Sequence, residues 1–368
     1  MLVRKLTIAG FRNLHPGQWE PASGVNILYG DNAQGKTNLL EACWLFTGAR
    51  SFRGAKDSEM VPFGGEEAGL TLDFFAGGRE QEAAMTIRQR RQVTLNGVKL
   101  PSASRLAGIL CGVVFSPAHL SLVRDGPEER RRFVDGAYCQ LMPGYVGKLT
   151  DFQRVLVQRN ALLRQMTEPG RDTSADRDML ELWNHTMAAA GARVTVARSL
   201  YCEKLQPLAA EIYSGLSGGR EQLKLLWQSP AYEAGMSPPE VAARWMELLR
   251  QAEKADRRAG FSTEGPHRED LDLTLDGASV RIFGSQGQQR SAVLALKMAE
   301  AALLQEVTGE PPVAFLDDVM SELDVSRQEY ILNHIHGWQV FITGCEPSAA
   351  LRMTAGKVFH IKQGVISQ

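Results

Sequence analysis

The chain has 368 residues, of which 44% are hydrophobic and 23% charged, the balance of a globular protein long enough for two or three domains. No run approaches the roughly 18 apolar residues of a membrane span. The start MLVRKLTIAGF lacks the apolar stretch and cleavage site of a signal peptide, so a cytoplasmic protein is expected. A formal net charge of −1 leaves nucleic acid open, but any such surface has to be a local basic patch, and five cysteines without a C-x-x-C pair speak against a zinc site or a disulfide framework.

Leu2 to Ile8 reads as a strand closed by a turn at Gly10, and Val25–Tyr29 as a short apolar strand ending at Gly30. A helix is expected from Lys36 to Phe46, stopped by Gly48. Residues 69–100 look like an antiparallel meander, with Asn96-Gly97 supplying the two positive-φ positions of a tight hairpin. Pro127-Glu128-Glu129 is a good helix start, proline first and acids at the positive end of the dipole. Helices are expected over 145–166, 176–213 and 238–258, the first two joined by TEPGRDTSA. Leu271–Leu275 and Val280–Phe283 read as strands, Ser291–Val307 as a helix, Val313–Leu316 and Val340–Ile342 as strands with a helix over 326–336 between them. Strands alternating with helices predict a parallel sheet. The α/β pieces lie at the two ends, which predicts one core over residues 1–115 and 263–368 interrupted by a helical lobe over 116–262.

Gly30-Asp31-Asn32-Ala33-Gln34-Gly35-Lys36-Thr37 matches G-x-x-x-x-G-K-[ST] in full and sits between an expected strand and an expected helix. The glycines let backbone N–H groups face phosphate oxygens, Lys36 reaches the outer phosphates, and Thr37 reaches Mg²⁺. The helix N-terminus adds its positive dipole end. ATP and Mg²⁺ are the ligands this pattern predicts. A phosphate loop needs a carboxylate from the end of a neighbouring strand, and Val313-Ala314-Phe315-Leu316 is followed by two. Asp317 is the candidate for the metal, and Asp318, one step nearer the outer phosphate, for orienting water. Upstream, Ser285-Gln286-Gly287-Gln288 precedes the helix expected at Ser291, a second anion site that can serve the nucleotide of a partner subunit. Ser321-Glu322-Leu323-Asp324 looks like a loop crossing such an interface.

These pieces in this order resemble the two-lobed ABC-type ATPase heads of the SMC, Rad50 and RecF group. The resemblance implies a homodimer sandwiching two ATP molecules. Ser285, Gly287 and Gln288 match the signature, Asp317 and Asp318 the acidic pair, and Ser321 to Asp324 the interface loop. Phe11-Arg12-Asn13, Ser51-Phe52-Arg53, Glu129 to Asp135 and Gly265-Pro266-His267-Arg268-Glu269-Asp270-Leu271 narrow it to the RecF family, with Glu269 standing where that family usually has aspartate. Only about 280 positions separate Thr37 from Asp317, too few for a long coiled coil. The family resemblance implies DNA binding, weak DNA-stimulated ATP hydrolysis, and work in repair, recombination and replication restart with RecR and RecO to direct RecA to single-stranded gaps. A subunit energising a membrane transporter is the rival, but Phe341-Ile342-Thr343-Gly344 has no histidine where such subunits place one. A small-molecule kinase has no use for the signature.

Arg88-Gln89-Arg90-Arg91 and Arg130-Arg131-Arg132 can each grip phosphate or form a solvated, salt-bridged face; Glu128 and Glu129 favour the latter for the second run. His267-Arg268 is packing or a ligand site. His334 and His336 face different sides of a helix and predict no metal pair, and His185 is expected to be an ordinary histidine.

Overall fold

The computed structural model describes residues 1–168, 173–345 and 356–367. The chain divides into two compact units, one of Met1–Leu120, Leu208–Gln222 and Gln286–Gln368, the other of Ser121–Pro207 and Leu223–Ser285.

The first unit holds two six-stranded sheets. One is antiparallel and contains the expected meander. Leu2–Ile8 pairs with Ala68–Ala76, which pairs with Arg79–Ile87, then Arg91–Leu95, then Val98–Leu100, while Gly17–Trp19 borders the other side. Strict alternation over Ala68–Ala76 sends Leu70, Leu72 and Phe74 inward, as a period of two requires. Asn96 (φ 49°) and Gly97 (φ 78°) form the predicted hairpin turn. The second sheet is parallel over five strands, in the order Lys357–Lys362, Val25–Tyr29, Val340–Gly344, Val313–Leu316, Gly112–Phe115, with Val365–Ser367 antiparallel at one edge. The strands Val313–Leu316 and Gly112–Phe115 are buried at every position, the pattern of a sheet covered on both faces.

Leu39, Leu40, Cys43 and Phe46 from the helical stretch after Gly35 join inward residues of both sheets in one hydrophobic core. The buried Gln339 ties the sheets together: its side chain accepts from Val3 N at 2.6 Å and donates to Val3 O at 2.9 Å and Ala22 O at 2.8 Å. A buried amide with three partners stabilises one register of the two sheets, because any slip leaves polar atoms unpaired.

The second unit contains the helices Pro127–Leu141, Tyr145–Met166 and Pro238–Ala259 and most of a 44-residue helix, Ser174–Ser217. The TEPGRDTSA connection lies partly outside the described residues. Ser237 and Glu240 cap the start of Pro238–Ala259, and Gly260 in the left-handed conformation ends it. A three-stranded antiparallel sheet completes the unit, Asp270–Leu275 pairing with Leu223–Gln228 and with Ala278–Ser279.

That sheet accounts for two departures from the sequence expectation. Residues 263–285, assigned to the ATPase core from their strand character, pack with the second unit because Asp270–Leu275 finds its partner strand there. Val280–Phe283 is a helical turn, since Asp276-Gly277 turns the chain into only two further strand residues.

Candidate nucleotide-binding site

The phosphate loop leaves the C-terminal end of Val25–Tyr29 and enters the helix Lys36–Trp44, as expected. Two glycines are required by space. Gly30 has φ 148° and a Cβ there would lie 2.2 Å from Ile361 O; Gly35 has φ 114° and a Cβ would lie 3.0 Å from both Asn13 Oδ1 and Leu14 Cδ2. The loop is braced from three directions. Asn13 donates to Ala33 O at 3.2 Å, Gly364 N to Gln34 O at 2.9 Å, and Cys345 Sγ reaches Asn32 Oδ1 at 3.2 Å. Lys36 is buried and curls back to donate to Gly30 O at 2.7 Å and Asp31 O at 2.9 Å. Its ammonium is thus held over the loop's own carbonyls, at the mouth where phosphate oxygens would compete for it.

Thr37 and Asp317, 280 positions apart, meet at 2.7 Å, Thr37 Oγ1 donating to Asp317 Oδ1. A hydroxyl beside a carboxylate, both oxygen donors, fits Mg²⁺, which takes one or two protein ligands and fills its remaining positions with water and phosphate. No cluster of three or more His, Cys, Asp or Glu side chains suited to a metal exists among the described residues, so an all-protein cage is not offered. Burial, chiefly, pushes the Asp317 carboxyl above the usual carboxylate value, against the hydrogen bonds from Thr37 and Thr343. A cation there reverses that cost by favouring the charged form.

The acids are not on the neighbouring strand. Val340–Gly344 lies between the phosphate-loop strand and Val313–Leu316. Its Thr343 is a site residue the sequence reading missed. Thr343 Oγ1 donates to Asp317 Oδ1 at 3.0 Å and accepts from Asp318 N at 2.9 Å, orienting both acids. Its signal in the sequence is a polar residue at the end of an apolar strand. Asp318 has φ 52°, a left-handed conformation that aspartate and asparagine tolerate better than other non-glycine residues. Ser321 Oγ donates to Asp318 O at 2.9 Å, so the strained residue is fixed on both sides.

A second layer lies beneath the loop. Arg12 binds the fully buried Glu41 through two nitrogens, at 2.6 and 3.1 Å, and Ser51 donates to the same carboxylate. Asn38 bridges Asn13 at 2.7 Å and Arg53 at 2.8 Å. Phe11-Arg12-Asn13 and Ser51-Phe52-Arg53, which carry the family resemblance in the sequence, thereby join Glu41 in one support for the loop.

The helix carrying the signature begins at Gln286, five residues earlier than expected, because Gln286 to Arg290 already follow the helical pattern of hydrogen bonding. Ser285 therefore directly precedes it, with Gly287 and Gln288 in its first turn. Gln288 donates to Glu221 at 2.6 Å and Ser291 to Gly287 O at 2.9 Å. Three residues beyond Gly287, Arg290 grips Glu322, side chain at 3.3 Å and carbonyl at 3.3 Å. Asp324 caps the helix Val325–His334 by accepting from Arg327 N at 3.0 Å, and Gln328 donates to Met320 O and Leu323 O. Signature helix and Ser321–Asp324 loop are one braced assembly.

The second unit absorbs one arginine run. Arg130 forms a bidentate pair with Asp270 at 2.7 and 2.8 Å and also donates to Leu122 O and Asp125 O. Arg131 donates to Glu269 O at 2.7 Å, and Arg132 pairs with Glu128 and Glu129 on the surface. Glu269 itself accepts from Thr195 at 2.6 Å and Arg198 at 3.0 Å. His267 bonds Ser262 O at 3.0 Å, which makes it packing. These residues are internal to the unit.

The model of an AAA domain matches residues 5–100. The DNA replication and repair protein RecF of Agathobacter rectalis is 36% identical over 372 residues, covering 100% of this chain and 99% of its own length. The protein of the same description from a Synechococcus strain is 39% identical over 339 residues, covering 91% of this chain and 88% of its own. Among solved structures, the recombination mediator protein RecF with ATP, of the RecFOR pathway, superposes with a TM-score of 0.92 at 33% identity, covering 100% of this chain and 97% of that one. A Pyrococcus furiosus Smc head domain shares the fold alone, with a TM-score of 0.55 at 15% identity.

Proposed function

The chain belongs to the RecF family of DNA replication and repair proteins, and from that premise we propose that it is an ATP-driven dimer acting on DNA. The observation that carries the reading is the meeting of Thr37 and Asp317 at 2.7 Å beside the buried Lys36. ATP binds with its phosphates over residues 30–37, their charge taken by loop N–H groups, the helix dipole and Lys36. Thr37 and Asp317 are the groups that would hold Mg²⁺, whose chemistry when bound is to neutralise phosphate charge.

Asp318 orients the attacking water. Its side chain is one methylene shorter than the glutamate that many ABC-type heads carry after the metal-binding aspartate, about 1.3–1.5 Å less reach. A misplacement near 1 Å costs on the order of a hundredfold in rate, so hydrolysis is slow and serves as a timer. Ser285 and Gly287 act in trans, closing on the nucleotide of a second copy, with Ser321–Asp324 lining the seam. The dimer grips DNA mainly through phosphate contacts, since no recognition helix or finger motif is present in the sequence. Its task is to mark gapped DNA, where with RecR and RecO it directs RecA; those partners rest on the family.

The test is anisotropy of labelled gapped duplex at fixed salt, with and without ATP. Tighter binding with ATP, absent in Lys36→Ala, is expected. Equal binding with and without nucleotide contradicts the reading.

A further inference from the structure

The Arg88-Gln89-Arg90-Arg91 run has a different fate from Arg130-Arg131-Arg132. The strands Arg79–Ile87 and Arg91–Leu95 form a hairpin in which Ile87 faces Arg91 and Thr86 faces Gln92. Met85, Ile87 and Val93 point into the core. Alternation therefore turns Thr86 and Gln92 to solvent, Arg88 and Arg90 lie in the turn between the two strands, and all four are exposed. With Glu67 they line an open groove of about 340 Å³. Its lining offers two guanidinium groups, an amide and a hydroxyl, all hydrogen-bond donors, against one carboxylate. Arg88 pairs with that carboxylate at 2.7 Å. Arg90 makes no side-chain hydrogen bond or ion pair among the described residues.

Arg91 ties the hairpin to the loop beneath, donating to Ala49 O at 2.7 Å and pairing with Asp57 at 3.1 Å. The tied loop exposes Arg50, Arg53 and Lys56, and its Arg53 donates to Asn38, the residue after Thr37. The basic surface thus continues from the hairpin tip to the edge of the phosphate loop.

We propose that this hairpin groove is a binding site for the phosphodiester backbone of nucleic acid, with Arg90 and Arg88 as the primary phosphate ligands and Gln92 and Thr86 as supporting donors. The site rests on the DNA-binding reading given above and gives it a location. A planar guanidinium with free donors suits a phosphate's paired oxygens. None of the five lining residues is aromatic, so the groove reads backbone and stacks no base. Glu67 holds Arg88 back in the free protein, and a phosphate competes with it for that side chain.

The full chain with ATP is titrated with labelled duplex and, separately, single-stranded oligonucleotide over a range of salt. The Arg88→Glu/Arg90→Glu variant is expected to bind duplex at least roughly tenfold more weakly, with a salt slope shallower by about two. Arg90→Gln alone, at an exposed position, should weaken binding about threefold, and Glu67→Gln should tighten it by about two- to fivefold by releasing Arg88. ATP affinity, measured by titration calorimetry, stays unchanged in all three. Equal losses on both oligonucleotides mean a shared backbone contact; a loss on one alone assigns the groove to that form. Full DNA affinity and an unchanged salt slope in the double variant overturn the site while leaving the DNA-binding reading intact. Retained DNA binding with lost binding to polyglutamate overturns it in favour of an acidic protein. A wild-type chain that binds neither oligonucleotide overturns the parent reading and the site together.

Discussion

Arg130-Arg131-Arg132 and Arg88-Gln89-Arg90-Arg91 have similar charge density in the sequence and opposite surroundings in the fold. In the second unit Arg130 is 4% exposed, and its donors end on Asp270 and two carbonyls. In the first unit Arg90 stands in solvent, and the side chain of Arg88 is 67% exposed. What separates them is which acids the topology delivers. Asp270 and Glu269 reach the first run because their strand joins the Leu223–Gln228 strand inside the same unit, 138 to 140 positions away in sequence from their arginines. Among the described residues no acid comparably reaches Arg90. A closed arginine supports the fold, and an open one keeps its donors in solvent.

The widest separation between the two kinds of site should be in stability. Arg130→Ala leaves Asp270 and two carbonyls without their donor and should cost about 3 kcal/mol, read from the urea midpoint. Arg90→Gln should change it by less than about 0.5 kcal/mol. Similar losses at both positions would break the distinction.

Asp318→Asn extends the contrast to the nucleotide site. Asparagine accepts the left-handed backbone that Asp318 adopts, so folding and ATP binding should survive. Turnover should fall by on the order of a hundredfold, since the amide takes no proton. Parental turnover would remove Asp318 as the water-orienting group.

Lys36→Ala is smaller in effect. Loss of one charge-assisted phosphate contact, about 1.5–3 kcal/mol, should weaken ATP binding at least tenfold in calorimetry. Unchanged affinity would sink the phosphate-loop assignment.

The smallest effect belongs to the closed region and depends on pH. Burial, chiefly, pushes His267 down to about 4 from 6.5. The unfolded chain takes up a proton between those values and the folded chain does not, so stability declines as pH falls through that window. The decline should be about 1 kcal/mol between pH 6.5 and 5.5, and His267→Gln should flatten it. A variant with the parental slope would show that His267 does not titrate this way.

Local signals made much of this legible in the sequence. The loop at Gly30–Thr37, the Asn96-Gly97 hairpin and the apolar strand before Asp317 each carry a local rule, and each forms where expected. The expected parallel sheet is there too. Thr343 was missed because its role depends on a strand order that no local pattern encodes. Val280–Phe283 is a helical turn where its sequence suggests a strand, because a short apolar run fits either form until its partner is known. The strand character of residues 270–275 is likewise visible in the sequence, and their pairing with Leu223–Gln228 is not.

In the proposed dimer ATP joins two copies, with Ser285 of each meeting the other's phosphates. Light scattering on wild type and Ser285→Arg, with and without ATP, tests it most directly, paired with calorimetry to show that both bind the nucleotide. ATP should double the mass of the wild-type chain, while the variant should bind ATP and stay a monomer. A variant that dimerises with ATP as the wild type does, or a wild type that stays monomeric when saturated, would contradict it.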